Sequence, residues 1–177
     1  MATDLTNLDL ALQFAVRATA YKTNANGLGE ATDLFSLDLA PSAFVFGTGS
    51  GKANQVWRDR RTLAGGASDA LDLRGGSLTN GFGVTASFSK IKLIAIFNRS
   101  HLQTPATTAS ILVGGGSNPF LGQNNDQIAT VEAGCPCLQL STEGWTVTAE
   151  TGDILLIDND EAEDGAQYDI VIIGEAA

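Results

Sequence analysis

The chain has 177 residues, 44% of them hydrophobic, with only 7% aromatic residues and 20 glycines. This length predicts a single domain over residues 1–177 that can bury an aliphatic core without a metal or a disulfide. The net charge of −10 argues against nucleic acid as the main partner, because phosphate binding needs a basic face. No apolar run approaches the roughly 20 residues of a membrane span, and the start at Met1 lacks a secretory profile. We therefore expect synthesis in a cytoplasm, with no nucleic-acid and no membrane partner.

Charge is unevenly distributed along the chain. Residues 1–100 carry all 10 basic residues together with 8 acidic ones, whereas residues 101–177 carry 12 acidic residues and no Lys or Arg. The acidic part predicts a negative surface that either stays in solvent or meets a basic partner.

Short apolar runs between glycine-rich turns predict an all-β fold. Period-2 alternation predicts a strand over residues 8–17, and a weaker strand over 34–39 that ends near Pro41 follows a turn at 24–29. We expect further strands over the ranges 55–63, 69–73, 84–88, 91–98, 110–113, 128–131 and 138–140, with a long loop over 118–126. About ten to twelve short strands at this spacing predict an antiparallel β-sandwich of jelly-roll type.

The last third of the chain carries the clearest strand signals. Three β-rich runs, over residues 145–149, 154–157 and 168–174, are separated by turn residues, and the last two are nearly continuous in Ile, Leu and Val. Runs of this kind are typical of strands buried in a sheet core. We predict that they form an antiparallel meander, in which each strand pairs with the next.

Residues 47–52, Gly-Thr-Gly-Ser-Gly-Lys, invite comparison with a phosphate-binding loop. That motif also needs Gly at position 46 and Ser or Thr at position 53, where this chain has Phe46 and Ala53. No helix is predicted after the loop to supply an N-terminal dipole. We therefore interpret these residues as a flexible connection between strands.

Residues 158–165 form a predicted acidic turn with enough carboxylates to suggest calcium. An EF-hand register beginning at Asp160 fails, because it places Ala162 at the third position and Val171 at the twelfth. A looser calcium site stays open beside a simpler interpretation, a solvated turn whose charge discourages the aggregation of sheet edges.

Two cysteines, Cys135 and Cys137, flank Pro136, and on a strand both side chains would point the same way. Zinc needs two further ligands, and His101 is the only histidine of the chain. A disulfide across one residue is strained, so we expect free thiols on small, buried or half-buried side chains.

Catalytic chemistry has no clear candidate in this sequence. A Ser-His-Asp set would have to use His101, which lies in a polar segment and is more typical of a surface histidine. No carboxylate is isolated among apolar residues that would raise its pKa. We predict no catalytic residue, no cofactor, no metal ligand and no enzymatic activity.

The run around Trp57 is the best candidate for a contact surface. The predicted strand 55–63 carries Arg58, Arg60 and Arg61, and we expect one strongly basic face on it. Trp and Arg are the residue types most often found at binding hot spots, so these four residues form a predicted interface. The alternative is a solvated strand face with Trp57 as an aromatic anchor in the core.

Several stretches of the chain resemble a group of small structural proteins encoded by tailed phages and prophages. The resemblance spans most of the chain and rests on the ranges 47–51, 57–63, 71–73, 78–83, 113–115, 117–120 and 168–174. These are turn and core motifs that carry no known catalytic residue. Residues 135–137 and the acidic turn depart from the pattern of the group. The resemblance implies a structural role in the virion, without specifying which part.

From this resemblance we expect a non-enzymatic virion protein made in the cytoplasm of the bacterial host. The leading hypothesis is a capsid decoration (cement) protein on the outside of the phage head, with the major capsid protein or another virion protein as its partner. A homotrimer over a three-fold position would bury sheet edges that a monomer exposes. A tail, baseplate or receptor-binding component is the alternative. A carbohydrate-binding module has less support, because the chain offers only two Trp and two Tyr for an aromatic platform.

Overall fold

The computed structural model describes residues 14–23, 30–39, 44–79, 83–121 and 127–177. Within these ranges it has fourteen β-strands and one three-residue 3-10 helix, Ser100–Leu102, which confirms the predicted all-β class. Four of the strands have only two residues, which leaves ten longer ones. The expected turn at 24–29, the first part of the strand predicted over 8–17 and residues 122–126 of the expected loop lie outside the described residues.

Three small sheets have two strands each. The N-terminal hairpin pairs β1 (Phe14–Thr23) with β2 (Glu30–Leu39) in antiparallel register. The glycine-rich loop separates β3 (Val45–Phe46) from β4 (Lys52–Ala53), and these two strands pair in parallel. A short antiparallel pair joins β7 (Leu78–Thr79) and β8 (Thr85–Ala86).

Two larger antiparallel sheets have four strands each. Sheet 1 contains β5 (Gln55–Leu63), β9 (Phe88–Asn98), β12 (Pro136–Thr146) and β14 (Ala166–Ala176), in the order β12-β9-β14-β5. Sheet 2 contains β6 (Ser68–Asp72), β10 (Ile111–Gly114), β11 (Gln127–Val131) and β13 (Ile154–Asn159), in the order β11-β10-β13-β6.

Both larger sheets contribute side chains to one main core. Ile96 and Ile172 of sheet 1 and Leu71, Ile111 and Ile157 of sheet 2 belong to a single cluster, and each is at most 2% exposed. Alternate residues of each strand point into this core because side chains alternate along a strand. The two antiparallel sheets around a shared core are consistent with a β-sandwich.

The predicted C-terminal meander is wrong. β12 and β14 lie in sheet 1, with β9 between them, while β13 lies in sheet 2 between β10 and β6. The prediction that the two continuous apolar runs, 154–157 and 168–174, form buried strands is confirmed by β13 and β14. β13 and β14 each lie in the interior of their own sheet, where both edges are paired, so the chain must cross between the sheets before each of these two strands.

A second, smaller cluster lies on the side of sheet 1 that faces away from the main core. Leu93 on β9 and Ile173 on β14 are buried there under Phe44 and Ala53, from the segment that precedes β5. This segment covers one end of the outer face of sheet 1.

Candidate interaction surface

The arginines of β5 do not form one basic face, and this part of the sequence prediction is wrong. Arg61 lies on the inner side of the strand together with Trp57, whereas Arg58 and Arg60 lie on the outer side. β5 pairs with β14 without a register shift, so the period of two assigns the consecutive residues Arg60 and Arg61 to opposite faces. The predicted interface is therefore divided between two surfaces.

Trp57 belongs to the core of the molecule. Its side chain is 1% exposed, and its indole N–H donates to the carbonyl oxygen of Thr79 at 3.1 Å. The guanidinium carbon of Arg61 lies 5.5 Å from the ring centroid, within the range of a cation–π contact. This agrees with the alternative interpretation of the sequence, in which Trp57 is an aromatic anchor in the core. Its burial leaves it no surface with which to contact a partner.

Arg61 is held in a charge network at the edge of the sandwich. It forms ion pairs with Asp59 and Asp69, each at 3.1 Å. The hydroxyl of the buried Tyr168 donates to Asp69 at 2.7 Å. Burial is the main reason why the pKa of Tyr168 lies well above its usual value, and the hydrogen bond to Asp69 raises it further. The phenol therefore keeps its proton. The network fixes Arg61 in place.

Arg60 belongs to a second network, on the outer face. It makes two hydrogen bonds to Asp169, at 2.6 Å and 3.2 Å, and Arg99 donates to the same carboxylate at 3.1 Å. The hydrogen bond from Arg60 is the main reason why the pKa of Asp169 is lowered. Among the described residues, Arg58 has no hydrogen bond or ion pair, so it presents an uncompensated positive charge.

Beside these arginines the outer face of sheet 1 is apolar and open to solvent. We define the outer patch as Ala95, Phe97, Leu138, Leu140 and Val171, which are half-buried or exposed. Their shared face follows from the register: Leu138 pairs with Ala95, Ala95 with Val171, and Val171 with Arg58.

Two leucines make this patch unusual. Leu138 and Leu140 remain 39% and 38% exposed in the first half of an 11-residue edge strand. Within the described residues, β12 pairs only with β9, so its other edge is also unpaired. An exposed apolar face beside a free strand edge is a typical protein-binding surface.

The glycine-rich loop is anchored to sheet 1 by a buried ion pair that the sequence analysis did not predict. Lys92, which is fully buried, uses its ammonium donors on Glu175 at 2.9 Å, on the Thr142 carbonyl at 3.1 Å and on the Gly49 carbonyl. The Gly49 amide donates back to Glu175 at 3.0 Å, so both ends of this residue are held. The loop is therefore tied to the sheet, and the expected flexible connection does not describe it.

The positions of the glycines in this loop follow from its backbone. Gly47, Gly49 and Gly51 all have positive φ angles, which residues with a Cβ rarely adopt.

Burial acts to raise the pKa of Glu175, but the hydrogen bonds from Lys92 and Gly49 outweigh this effect and lower it. Because Lys92 donates to acceptors within the protein, we assign the loop a structural role.

The acidic turn is built around a buried amide. The side-chain amide of Asn159, which is 4% exposed, donates to the carbonyls of Ala64 at 2.9 Å and Asp164 at 2.7 Å. The residues from 160 to 164 are exposed, as expected for a solvated turn. In the described ranges there is no group of three or more His, Cys, Asp or Glu side chains that could hold a metal ion.

The cysteines and the histidine occupy different environments. Cys135 is exposed and lies before β12, so the prediction that it is buried or half-buried is wrong. Cys137 is half-buried against the main core, and burial raises the pKa of its thiol. Both thiols are free, as predicted. His101 is exposed and makes an edge contact with Phe97, 6.1 Å between ring centroids.

Comparison of the chain with protein-family models, with curated proteins and with solved structures found no match. The only helix in the described ranges has three residues, far too few to cross a bilayer. The geometry of the outer face is therefore the main structural guide to function.

Proposed function

We propose that this chain is a non-enzymatic structural protein of a phage virion, and specifically a decoration protein on the outside of the head. The proposal starts from the sequence resemblance to phage structural proteins. The observation that carries it further is the order in which the strands of the two larger sheets pair.

This order supports a jelly roll. Counting only the eight strands of sheets 1 and 2, the first pairs with the last (β5 with β14) and the second with the second-to-last (β6 with β13). The pairs β9–β12 and β10–β11 continue the series. A long hairpin rolled into two sheets produces this nested pairing, and eight-stranded jelly rolls of this kind build viral capsid domains and lectins. Because one fold can serve many functions, we infer the function of this chain from its surface as well.

The surface supports a protein partner. The outer patch is apolar at its centre, and Arg58 and Arg60 lie at its edge, which matches the apolar core and polar rim of protein interfaces. Carbohydrate binding has weaker support, because Trp57 and Tyr168 are buried and cannot serve as platforms for a sugar ring.

In this proposal the arginines of β5 contact the major capsid protein or a neighbouring copy within a homotrimer. Arg58 is the main candidate, since Arg60 and Arg61 already pair with carboxylates. Residues 160–164 of the acidic turn are exposed and would give the particle a negative exterior. A contact of this kind makes docking sensitive to salt through a faster association rate at low ionic strength.

Location on the particle tests the proposal directly. We expect gold-labelled antibodies against the chain to bind the heads of purified virions. Labelling restricted to tails would instead support the tail or baseplate alternative, and unlabelled virions that lack the chain by mass spectrometry would overturn the virion role.

The contribution of the arginines is tested on shells that lack the protein. We expect the triple variant Arg58→Ala, Arg60→Ala and Arg61→Ala to show several-fold lower occupancy at low salt, with the difference from wild type narrowing as salt is raised. Lys52→Ala removes an exposed positive charge on the glycine-rich loop and serves as the matched control. Unchanged occupancy and an unchanged salt slope would falsify the basic contact, while the virion role would stand.

A further inference from the structure

One edge of sheet 1 carries backbone groups that no described residue pairs. Pro136, the first residue of β12, pairs with Phe97 of β9, and the Asn98 amide donates to the Cys135 carbonyl at 3.1 Å. In an antiparallel ladder, a bond between the residues that flank a pair marks that pair as non-hydrogen-bonded. Pro136 therefore directs its carbonyl away from β9, and the same orientation returns at every second residue of β12.

Leu138 and Leu140 have this orientation, because they lie two and four residues after Pro136 in the same unbroken register. Their N–H and C=O groups point to the free edge, where, within the described ranges, no other strand pairs with β12. Their side chains are the exposed leucines of the outer patch. An edge with free donors and acceptors beside exposed apolar side chains is a site for a further strand.

The charges along the two edges of sheet 1 favour a second copy of this chain as the source of that strand. Residues 134–142 contain no charged side chain, although the chain has a net charge of −10. At the other edge, residues 58–61 of β5 are all charged, an arrangement that opposes pairing between edges. Copies with this net charge repel each other, so an uncharged edge is where two of them can approach most easily.

We propose that β12 pairs with β12 of a second copy of this chain, antiparallel about a two-fold axis at Gln139. In this register Leu138 of each copy lies opposite Leu140 of the other, and each such pair exchanges both of its backbone hydrogen bonds. The leucines of the two copies then form one apolar surface that continues the outer patch from one copy to the next. This explains why Leu138 and Leu140 are exposed within a single chain.

The hydrogen-bonding groups at the end of the edge favour this register. Pro136 has no N–H, and with the axis at Gln139 it lies opposite Thr142 of the second copy. The Thr142 carbonyl accepts from the Lys92 ammonium at 3.1 Å and from the Gly51 amide at 3.0 Å, so it needs no further donor. With the axis one residue earlier, Pro136 would instead face an edge carbonyl that has no other donor.

This pairing goes beyond the proposed function and does not depend on it. A contact between copies through the arginines of β5 uses the opposite edge of sheet 1 and leaves β12 free. Both contacts can therefore exist in one assembly. The location of the chain on particles tests the virion role, and neither outcome of that experiment affects the pairing of β12.

A disulfide between copies tests the position of the axis. Gln139→Cys, in a background with Cys135→Ser and Cys137→Ala, places the two introduced thiols in a non-hydrogen-bonded pair, where Cβ atoms lie about 5 Å apart. We expect mild oxidation to give a covalent dimer of twice 18.4 kDa on a denaturing gel. Thr142→Cys in the same background is the matched control, because this exposed residue lies on the same strand but about 20 Å from its own copy.

A proline tests the hydrogen bonds of the edge. The Leu140 N–H points away from β9, so Leu140→Pro leaves the pairing within sheet 1 in place and removes a donor to the second copy. We expect light scattering to give half of the wild-type mass for this variant, whereas the control Leu140→Val keeps the wild-type mass. If circular dichroism shows that the proline variant is unfolded, Leu138→Lys with Leu140→Lys replaces it and brings like charges together at the axis.

Three results would overturn the pairing. A wild type with the mass of one chain at every concentration would show that the copies do not associate. Absence of the covalent dimer in Gln139→Cys, or an equal yield in Thr142→Cys, would rule out the axis. A wild-type mass that persists in the folded Leu140→Pro protein, or in the lysine variant that replaces it, would assign the contact between copies to another surface.

Discussion

Two of the ion-pair sites on sheet 1 use similar side chains in opposite surroundings. Lys92 and Glu175 lie under the glycine-rich loop with side-chain exposures of 0% and 10%, whereas Arg60 and Asp169 are 56% and 33% exposed. The exposed pair has the shorter contact, 2.6 Å against 2.9 Å. Geometry alone would therefore rank the two sites in the wrong order.

The difference lies in what each site does for the backbone and how much water surrounds it. The buried site joins the loop at Gly49 to β9 and β14, and an unpaired charge left there would have no solvent to replace its partner. The exposed site holds side chains on a surface where water solvates either partner. The first site should determine stability and the second should determine recognition.

The largest effect is expected from Lys92→Ala. It leaves Glu175 buried without its partner and removes the support of Gly49, so the free energy of unfolding should fall by about 3 to 5 kcal/mol. Urea denaturation measures the change. Lys52→Ala, at an exposed lysine of the same loop region, is the control and should cause little change.

A double variant separates the unpaired charge from the loss of packing. Lys92→Met with Glu175→Gln removes both charges while keeping similar volumes, so it should destabilise the protein less than Lys92→Ala. Equal losses in the two proteins would show that the unpaired charge is not the main cause.

Tyr168→Phe probes a site of intermediate burial. The hydroxyl of Tyr168 donates to Asp69, which also pairs with Arg61, so a charged acceptor loses one donor and keeps another. A hydrogen bond to a charged group contributes about 1.5 to 3 kcal/mol, and the remaining pair with Arg61 should keep the loss at the lower end of this range. Thermal or urea denaturation gives the value, and a loss equal to that of Lys92→Ala would contradict the ranking by burial.

Acid should weaken both ion-pair sites. The native pKa of Asp169 and that of Glu175 are lowered, so the unfolded chain binds these protons first as the pH falls. The contribution of these two carboxylates to stability is complete above the ordinary carboxyl pKa of about 4. It is lost as the pH falls through their lower pKa values in the native protein.

The variant Asp169→Asn tests the share of the exposed site. Its stability should fall less steeply than that of the wild type between about pH 5 and pH 3, as measured by denaturation across this range. If stability falls with pH at the same slope in the two proteins, the pair between Arg60 and Asp169 does not persist in solution.

Much of the fold could be predicted, because apolar and polar residues alternate with a period of two along a strand that is buried on one face. The range 55–63 was predicted for β5 with the observed bounds, and the apolar run 91–98 corresponds to most of β9. Strand pairing could not be predicted in the same way. The runs that form β13 and β14 carry no local signal that the chain crosses between sheets before each of them, so a meander and a crossover have the same pattern.

The surface was harder to predict than the fold. The count of arginines near Trp57 suggested one basic face, although the same period of two separates Arg60 from Arg61. The buried pair did leave a signal, because Lys92 interrupts an otherwise apolar run at 91–97, but its partner lies 83 residues away and only the tertiary fold identifies it. The apolar outer patch has no sequence signature, since its residues come from three strands.

The smallest effect on stability is expected from Arg60→Ala. The guanidinium is well exposed, and Arg99 still donates to Asp169 after the substitution, so the carboxylate keeps one cationic partner. Exposed pairs contribute little because water solvates both ions and salt screens their attraction. The change in the midpoint of urea denaturation should therefore be far smaller than for Lys92→Ala and should shrink further when salt is added. Arg58→Ala, which removes a charge without a partner among the described residues, should leave the midpoint unchanged at any salt concentration. A large, salt-independent loss in Arg60→Ala would mean that a partner or a neighbouring copy buries this pair, which would move it to the same class as Lys92 and Glu175.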